Sequence, residues 1–277
     1  MSDAMDVDYL RGWIGGRETV RDIITERLVR EYAAMMDNEP GGAEAPLALH
    51  WCLAPPAAKA SELGPDGHAA RGGFLPPVPL PRRMWAGGQL NFQNRLRVGD
   101  GVKRVSKIFD VTVKEGRTGV LCFVTLQHEI STDTGLAITE RQDLVYRPLA
   151  VAPSGTAKPD QLPRPQWRRA RKADPVLLFR YSALTFNGHR INYDRPYATA
   201  AENYPGLVVH GPLQAAWLLD FATEIKGAAP LQFSFRGVNP LFDFQSFELC
   251  ARDADDGLQL WVQTSEGART MDAKAQW

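Results

Sequence analysis

The chain has 277 residues, enough for one large domain or two of about 140. Its composition (44% hydrophobic, 9% aromatic, 23% charged) is that of a globular protein able to bury a core without staples. Thirty-two basic residues balance thirty-two acidic ones, which argues against bulk attraction to nucleic acid or to an anionic membrane. Three widely spaced cysteines, Cys52, Cys122 and Cys250, make no disulfide or zinc pattern and read as small residues of a reduced interior. The start, Met1 to Asp8, is acidic where a signal peptide is basic and then apolar, and no apolar run reaches the ~18 residues of a membrane helix. A cytoplasmic chain with no nucleic-acid or membrane partner is expected.

In chain order, Thr25 reads as the cap of a helix whose apolar residues Leu28, Val29, Tyr32, Ala33 and Met36 recur at helical spacing. That helix should stop at the turn Asp37-Asn38-Glu39-Pro40. Residues 39–84, rich in Pro, Gly and Ala, read as a long ordered loop with short helical pieces. Strand-like segments follow near 89–98, 103–113, 117–130 and 136–147, separated by Gly-containing turns, as in an antiparallel meander.

Residues 149–175 read as a linker, with five prolines around the basic run Arg168-Arg169-Ala170-Arg171-Lys172. The second half repeats the plan. Residues 176–186 read as a strand or turn, and residues 212–226 as a helix, apolar nearly all round, with Pro212 in its first turn and Gly227 as its stop. Strands are expected near 231–236, 242–251, 258–264 and 268–275. Short matches link the halves: Tyr32 to Asp37 with Tyr181 to Asn187, and Gln89-Leu90-Asn91-Phe92 with Gln232-Phe233-Ser234-Phe235. They point to a tandem duplication with boundaries at 1–148, 149–175 and 176–277.

The chemistry-bearing residues concentrate in the second half. Asn187-Gly188-His189-Arg190-Ile191-Asn192-Tyr193-Asp194 is the densest polar cluster, and it precedes a buried helix. In His210-Gly211-Pro212 a helix start offers unpaired N–H groups, and Gly211 lets a ligand approach closely. Such a site suits a developing oxyanion. Of the five histidines (His50, His68, His128, His189, His210), none sits in a zinc motif, and no phosphate-binding or nucleophile-elbow signature is present.

Tyr181 to Ile191 with Tyr193-Asp194, Gly206 to Gln214, and Phe235-Arg236-Gly237 with Pro240-Leu241-Phe242 resemble three blocks of the MaoC-like and type 2 hydroxyacyl-thioester dehydratases. Met84-Trp85-Ala86-Gly87-Gly88 resembles the family's N-terminal region. Length and layout are similar to those of the mesaconyl-CoA and itaconyl-CoA hydratases. The resemblance implies an α+β tandem (double) hot-dog fold, each half an antiparallel sheet wrapped around a central helix. It also implies reversible addition of water to an enoyl thioester, with a CoA thioester as substrate and no cofactor or metal. Asn187, His189 and Asn192 are the implied catalytic positions, and Tyr181, Arg190, His210, Gly211 and Trp85 the implied substrate-binding ones.

Asn187 stands where the wider hydratase group has Asp. Asn192 stands where the family usually has its catalytic His, and an amide cannot take a proton from water at neutral pH. Three readings stay open: an introduced substitution, a base that has moved with His189 nearest, or a protein that binds acyl-thioesters without turnover. A short branched dicarboxylyl-CoA leads as substrate, with a 3-hydroxyacyl group on an acyl-carrier protein as the alternative. Arg82, Arg83, Arg95, Arg168, Arg169 and Arg171 are candidates for the CoA phosphates, and Arg180 or Arg190 for a substrate carboxylate. Trp217, Phe221, Trp85 and Met84 are candidates for lining an apolar tunnel. A tandem chain already pairs two hot-dog sheets, so monomer and homodimer both remain open.

Overall fold

A computed structural model describes residues 5–39, 41–116, 119–148 and 162–277. The first four residues, Pro40 and the Pro-rich stretch 149–161 of the expected linker lie outside the described residues. The first half runs α1 (Val7–Arg11), β1 (Arg17–Ile23), α2 (Glu26–Met36), 3-10 turns at Leu47–Cys52 and Ala60–Glu62, then β2 (Arg82–Phe92), β3 (Gly101–Gly116), β4 (Gly119–Thr132) and β5 (Gly135–Arg147). The second runs β6 (Trp167–Arg171), α3 (Pro175–Leu184), a 3-10 turn at Arg190–Asn192, a π turn at Tyr197–Ala201, α4 (Gly211–Lys226), β7 (Gln232–Gly237), β8 (Phe247–Ala254), β9 (Gly257–Thr264) and β10 (Arg269–Gln276).

The ten strands form one antiparallel sheet in the order β1-β3-β4-β5-β2-β7-β10-β9-β8-β6. Read from either outer edge the connectivity is the same, first-third-fourth-fifth-second. The halves therefore meet where β2 pairs with β7, in the register Gln89 to Ser234, Leu90 to Phe233 and Asn91 to Gln232. The sequence match of Gln89–Phe92 with Gln232–Phe235 makes Leu90 the counterpart of Phe233, and these two residues face each other. The local two-fold axis of the sheet passes between them. Both are fully buried, so the seam is closed by core packing as well as backbone hydrogen bonds.

Helix α2 starts where Thr25 Oγ1 accepts the Leu28 N–H at 3.1 Å, and it stops at Asp37, whose φ of 61° ends the ladder. Helix α4 begins with Gly211-Pro212 and stops at Gly227, at φ 67°. It buries Leu213 to Leu219, Phe221 and Ala222 under the C-terminal strands, and each large apolar side chain so placed contributes about 2 kcal/mol. In the N-terminal half the helical cover is shorter, consisting of α2 and the turn Leu47–Cys52. Its sheet also carries a second small core, in which Cys122, Val124, Leu126 and Tyr146 pack on Leu10 of α1 and on Val78.

Three differences from the sequence reading have physical causes. Residues 175–184 are a helix, because Asp174 caps Leu177 N–H at 2.9 Å and Pro175 takes the first turn; a short apolar run such as Val176 to Phe179 has no periodicity to tell helix from strand. Strand β1 is an edge strand whose alternate residues are exposed and only partly buried, so no apolar alternation marks it. Residues 167–171, inside the stretch read as linker, pair with β8 as the opposite edge.

Candidate active site

Helix α3 ends in a backbone reversal that presents the polar loop. Phe186 adopts φ 50°, and the Asn187 N–H returns to the Ser182 carbonyl at 2.8 Å. Asn187 Oδ1 then accepts the His189 N–H at 3.3 Å, and Asn187 Nδ2 donates to Asn192 Oδ1 at 2.9 Å. Asn192 Nδ2 donates to the Val208 carbonyl at 2.7 Å, and the residue is only 4% exposed. Both ends of the Asn192 amide are therefore engaged. It ties the loop to the segment that leads into α4 and has no proton-accepting function to offer.

Arg190 is held within the same loop. Its Nε donates to Asp194 Oδ2 at 2.9 Å, Nη1 donates to the Pro65 carbonyl at 3.0 Å, and the guanidinium lies over the Tyr197 ring. Arg180 is exposed on α3.

Beside the loop lies the start of α4. His210 Nε2 shares a 2.8 Å hydrogen bond with Ser182 Oγ, and its ring packs 4.8 Å from that of Tyr181. Burial pushes the His210 imidazole down to about 3, so it is neutral. Its side chain does not cap the helix, and the first-turn N–H groups of α4 have no partner within the helix. Tyr181 Oη and His210 Nδ1 are buried without a hydrogen-bond partner among the described residues. Gly211 faces Trp85, for a Cβ on Gly211 would come within 2.8 Å of Trp85 Cε3. Trp85 stacks on Phe235 at 4.4 Å and meets Trp51 edge-on at 5.6 Å. An aromatic wall from the N-terminal half and the seam thus stands over the helix start. Trp217 and Phe221 belong to the buried core rather than to this wall.

Two residues that the sequence reading did not single out also reach the site. The turn Pro65-Asp66-Gly67-His68 docks onto the polar loop, where the Arg190 N–H donates to the Asp66 carbonyl at 2.9 Å. Gly67, at φ 86°, lies so close to the Gly188 carbonyl that no side chain would fit. Asp66 Oδ2 lies 2.9 Å from His68 Nδ1, and the His68 ring lies 4.1 Å from the His189 ring. Burial holds His189 well below the ordinary imidazole range, with His68, Arg83 and His210 adding to the effect and Asp66 opposing it. His68 is lowered as well, by burial first. Burial pushes Asp66 up, but the bonds and charge of His68 outweigh it and hold the carboxyl below the usual range. The donor atoms of Asp66, His68 and His189 lie within 4.8 Å of one another, a set able to hold a divalent ion. The turn signature Pro-Asp-Gly was visible in the sequence, but nothing in its spacing connects it to a loop 120 residues away.

A narrow cleft opens beside His189, lined also by Asp66, Arg83 and Met84. Arg82 closes its wall: it is buried, pairs with Glu202 at 2.7 Å and lies over the Tyr204 ring. Of the other phosphate candidates, Arg95 pairs with Glu44, Arg168 with Glu248 and Arg169 with Glu224. Arg171 lies at the end of the edge strand β6 and is not among the residues of the cleft, whereas Arg83 is, half-buried.

Comparison with known proteins bears on the family and the fold. Residues 48–243 match the family described as hydroxyacyl-thioester dehydratase type 2. The chain is 45% identical over 268 residues to a mesaconyl-C(4)-CoA hydratase of Chloroflexus aurantiacus, covering 94% of this chain and 95% of that protein. A MaoC-like dehydratase from Phytophthora capsici superposes with a TM-score of 0.70 at 15% identity, covering 98% of each chain. A Mycobacterium tuberculosis protein described as having a double hotdog fold superposes with a TM-score of 0.58 at 13% identity, covering 95% of this chain and 96% of that one. With the same strand order in both halves and a family match over more than half its length, the chain belongs to the hydroxyacyl-thioester dehydratase type 2 family, MaoC-like hydro-lyases built on a tandem hot-dog.

Proposed function

We propose that the protein adds water reversibly to an enoyl-CoA thioester, and that its substrate is a short branched dicarboxylyl-CoA of the mesaconyl type. The observation that carries this reading is the junction of His189, Asn187 and the α4 start under Trp85, supported by a near full-length relative that hydrates mesaconyl-C(4)-CoA. Itaconyl-CoA is the neighbouring substrate in the same chemical class. The reading requires no cofactor.

In this reading the thioester carbonyl sits against the Gly211 N–H, where the helix dipole favours the enolate-like charge. The Asn187 amide holds the water. His189, neutral at physiological pH, takes one water proton as the oxygen bonds to the β-carbon, the π pair moves to the α-carbon and thioester oxygen, and the same imidazolium returns a proton to the α-carbon. Arg83 faces the CoA phosphates at the cleft mouth. Asn192 serves as the tie that orients Asn187.

An amide engaged at both ends, in place of a base at position 192, also favours a second reading, an acyl-thioester-binding protein without turnover. The test is loss of the enoyl-thioester absorbance with crotonyl-CoA, mesaconyl-CoA and itaconyl-CoA, paired with calorimetric binding of each. Turnover fastest with mesaconyl-CoA is expected. Tight binding of every ester with no turnover of any would move the assignment to the binding protein.

A further inference from the structure

Glu140 is a carboxylate on the inward face of the N-terminal sheet. It lies in β5 between His128 of β4 and Leu90 of β2, shares its face with the buried Leu90 and Ile138, and is only 4% exposed. Burying a carboxylate is costly unless its oxygens find partners. One oxygen does: Trp51 Nε1 donates to Glu140 Oε1 at 2.9 Å. The other lies 3.7 Å from His50 Nε2, too far for a hydrogen bond. His50 is held elsewhere, its Nδ1–H donating to the Leu47 carbonyl at 2.9 Å. The group that Glu140 fixes by a hydrogen bond is therefore the Trp51 indole.

Trp51 stands behind the aromatic wall of the site. It meets Trp85 edge-on at 5.6 Å and Phe235 edge-on at 5.9 Å, and those two rings stack at 4.4 Å. Phe235 lies across Gly88, where a Cβ would come within 2.8 Å of its Cζ. A register shift between Trp85 and Gly87 breaks the regular pleat beside Trp85, which in turn closes on Gly211. Among the described residues, the bond from Trp51 to Glu140 is the one hydrogen bond made by any of the three rings. Ring-on-ring packing leaves freedom to slide, whereas a charge-assisted hydrogen bond fixes both distance and direction.

We propose that Glu140 is a positioning residue for ester binding: its hydrogen bond to Trp51 fixes the aromatic wall against the α4 start and so sets the gap in which the thioester is seated. The proposal rests on the reading that the thioester carbonyl lies against the Gly211 N–H. The charge of Glu140 also reaches His50, Arg104 and Tyr181, so the test has to separate charge from hydrogen bonding. Glu140→Gln removes the charge and keeps an oxygen for the Trp51 N–H. Trp51→Phe keeps a ring and strands the carboxylate. Trp51→Phe combined with Glu140→Leu removes both partners, which costs less stability than stranding one.

The experiment uses the full chain. It measures kcat and KM with crotonyl-CoA and mesaconyl-CoA, the calorimetric Kd of each ester, which reads the wall whether or not the ester turns over, and Tm. Trp51→Phe is expected to lower Tm and to raise KM and Kd about tenfold for both esters, because the wall touches the part they share, with kcat within about threefold. The double variant should regain most of the Tm but keep the raised KM and Kd. Glu140→Gln should stay within about twofold of the unaltered protein in both constants. A purely structural role gives the opposite pairing, with KM and Kd returning to their original values as Tm recovers. That result would overturn the proposal. So would unchanged constants in Trp51→Phe, or constants in Glu140→Gln raised as far as in Trp51→Phe, which would assign the effect to charge. An unaltered protein that binds neither ester would overturn the reading of the site and the proposal with it, whereas normal binding in every variant overturns the proposal alone. The double variant strands no charge, so it decides the question even where Trp51→Phe alone does not fold.

Discussion

Replacing Asn192 by histidine tests where the family's base belongs in this chain. The Asn192 amide nitrogen and the Nδ1 of an imidazole are both attached to Cγ, so the 2.7 Å bond to the Val208 carbonyl is available to either residue. A histidine donating Nδ1–H to Val208 is locked in the tautomer whose Nε2 lone pair points away from the backbone, the form required of a base. The ring places carbon where Asn192 Oδ1 stood, so Asn187 Nδ2 loses its 2.9 Å acceptor and has both of its hydrogens, rather than one, available to water. On the stability side, one lost hydrogen bond costs about 1 kcal/mol, and a larger ring at a 4% exposed position costs about 1–3 kcal/mol more. On the catalytic side, an imidazole acting as general base is worth about 10²–10⁴ in rate, or about 3–5 kcal/mol off the barrier. The expected outcome of Asn192→His is a lower Tm together with a gain in kcat of that order, read from the enoyl-thioester absorbance of crotonyl-CoA and mesaconyl-CoA. A folded variant whose kcat stays within about twofold of the parent would refute the placement.

Gly211→Ala puts a methyl group 2.8 Å from the Trp85 ring, so it should displace the indole, raise KM for CoA esters by about tenfold and destabilise the fold by about 1–3 kcal/mol, as followed by steady-state kinetics and thermal melting. Arg82→Met leaves the buried Glu202 carboxylate without its guanidinium partner and should cost about 3–5 kcal/mol in urea unfolding; a loss under about 1 kcal/mol would show that water reaches the carboxylate. Because burial lowers His210 from near 6.5 to about 3, the unfolded chain binds a proton in that interval that the folded chain does not. Stability is therefore complete above pH 6.5 and declines as pH falls toward 3, by up to about 1.4 kcal/mol per pH unit for this group. His210→Asn should flatten that part of the denaturation profile, while the lowered His50, His68 and His189 leave a residual slope of the same sign.

What the sequence made legible followed from local physics. Thr25, Pro212 and Gly227 marked helix ends because capping and φ preferences act within a turn, and the meander strands showed through their β-branched alternation and Gly turns. The polar loop from Asn187 to Asp194 and the helix start at Gly211 were visible for the same reason. Helix α3 was hidden because Val176 to Phe179 is uniformly apolar, and β1 because an edge strand carries little buried surface. The position of Asp66 and His68 depends on a long-range approach of two glycine backbones, which leaves no periodic trace in either segment. The arginines show the same limit: Arg82 and Arg83 are adjacent and chemically alike and both border the cleft, yet Arg82 is buried against Glu202 and Arg83 is half-buried.

The axis between Leu90 and Phe233 bears on how many sites a molecule of this kind carries. A pair of identical hot-dog subunits joined across that seam would hold two equivalent catalytic centres, each restricted to residues that serve both copies. Covalent fusion lifts that restriction. Here the C-terminal copy carries the long helix and the polar loop, while the N-terminal copy has the Leu47–Cys52 turn in the matching place, with Asp66 and His68 on the stretch that follows and Trp85 on β2. Among the described residues, the polar loop and the α4 start occur in one half alone, so the candidate site is asymmetric. A substrate whose two ends differ, with CoA at one end and a small polar acyl group at the other, is the kind of ligand that such a site suits.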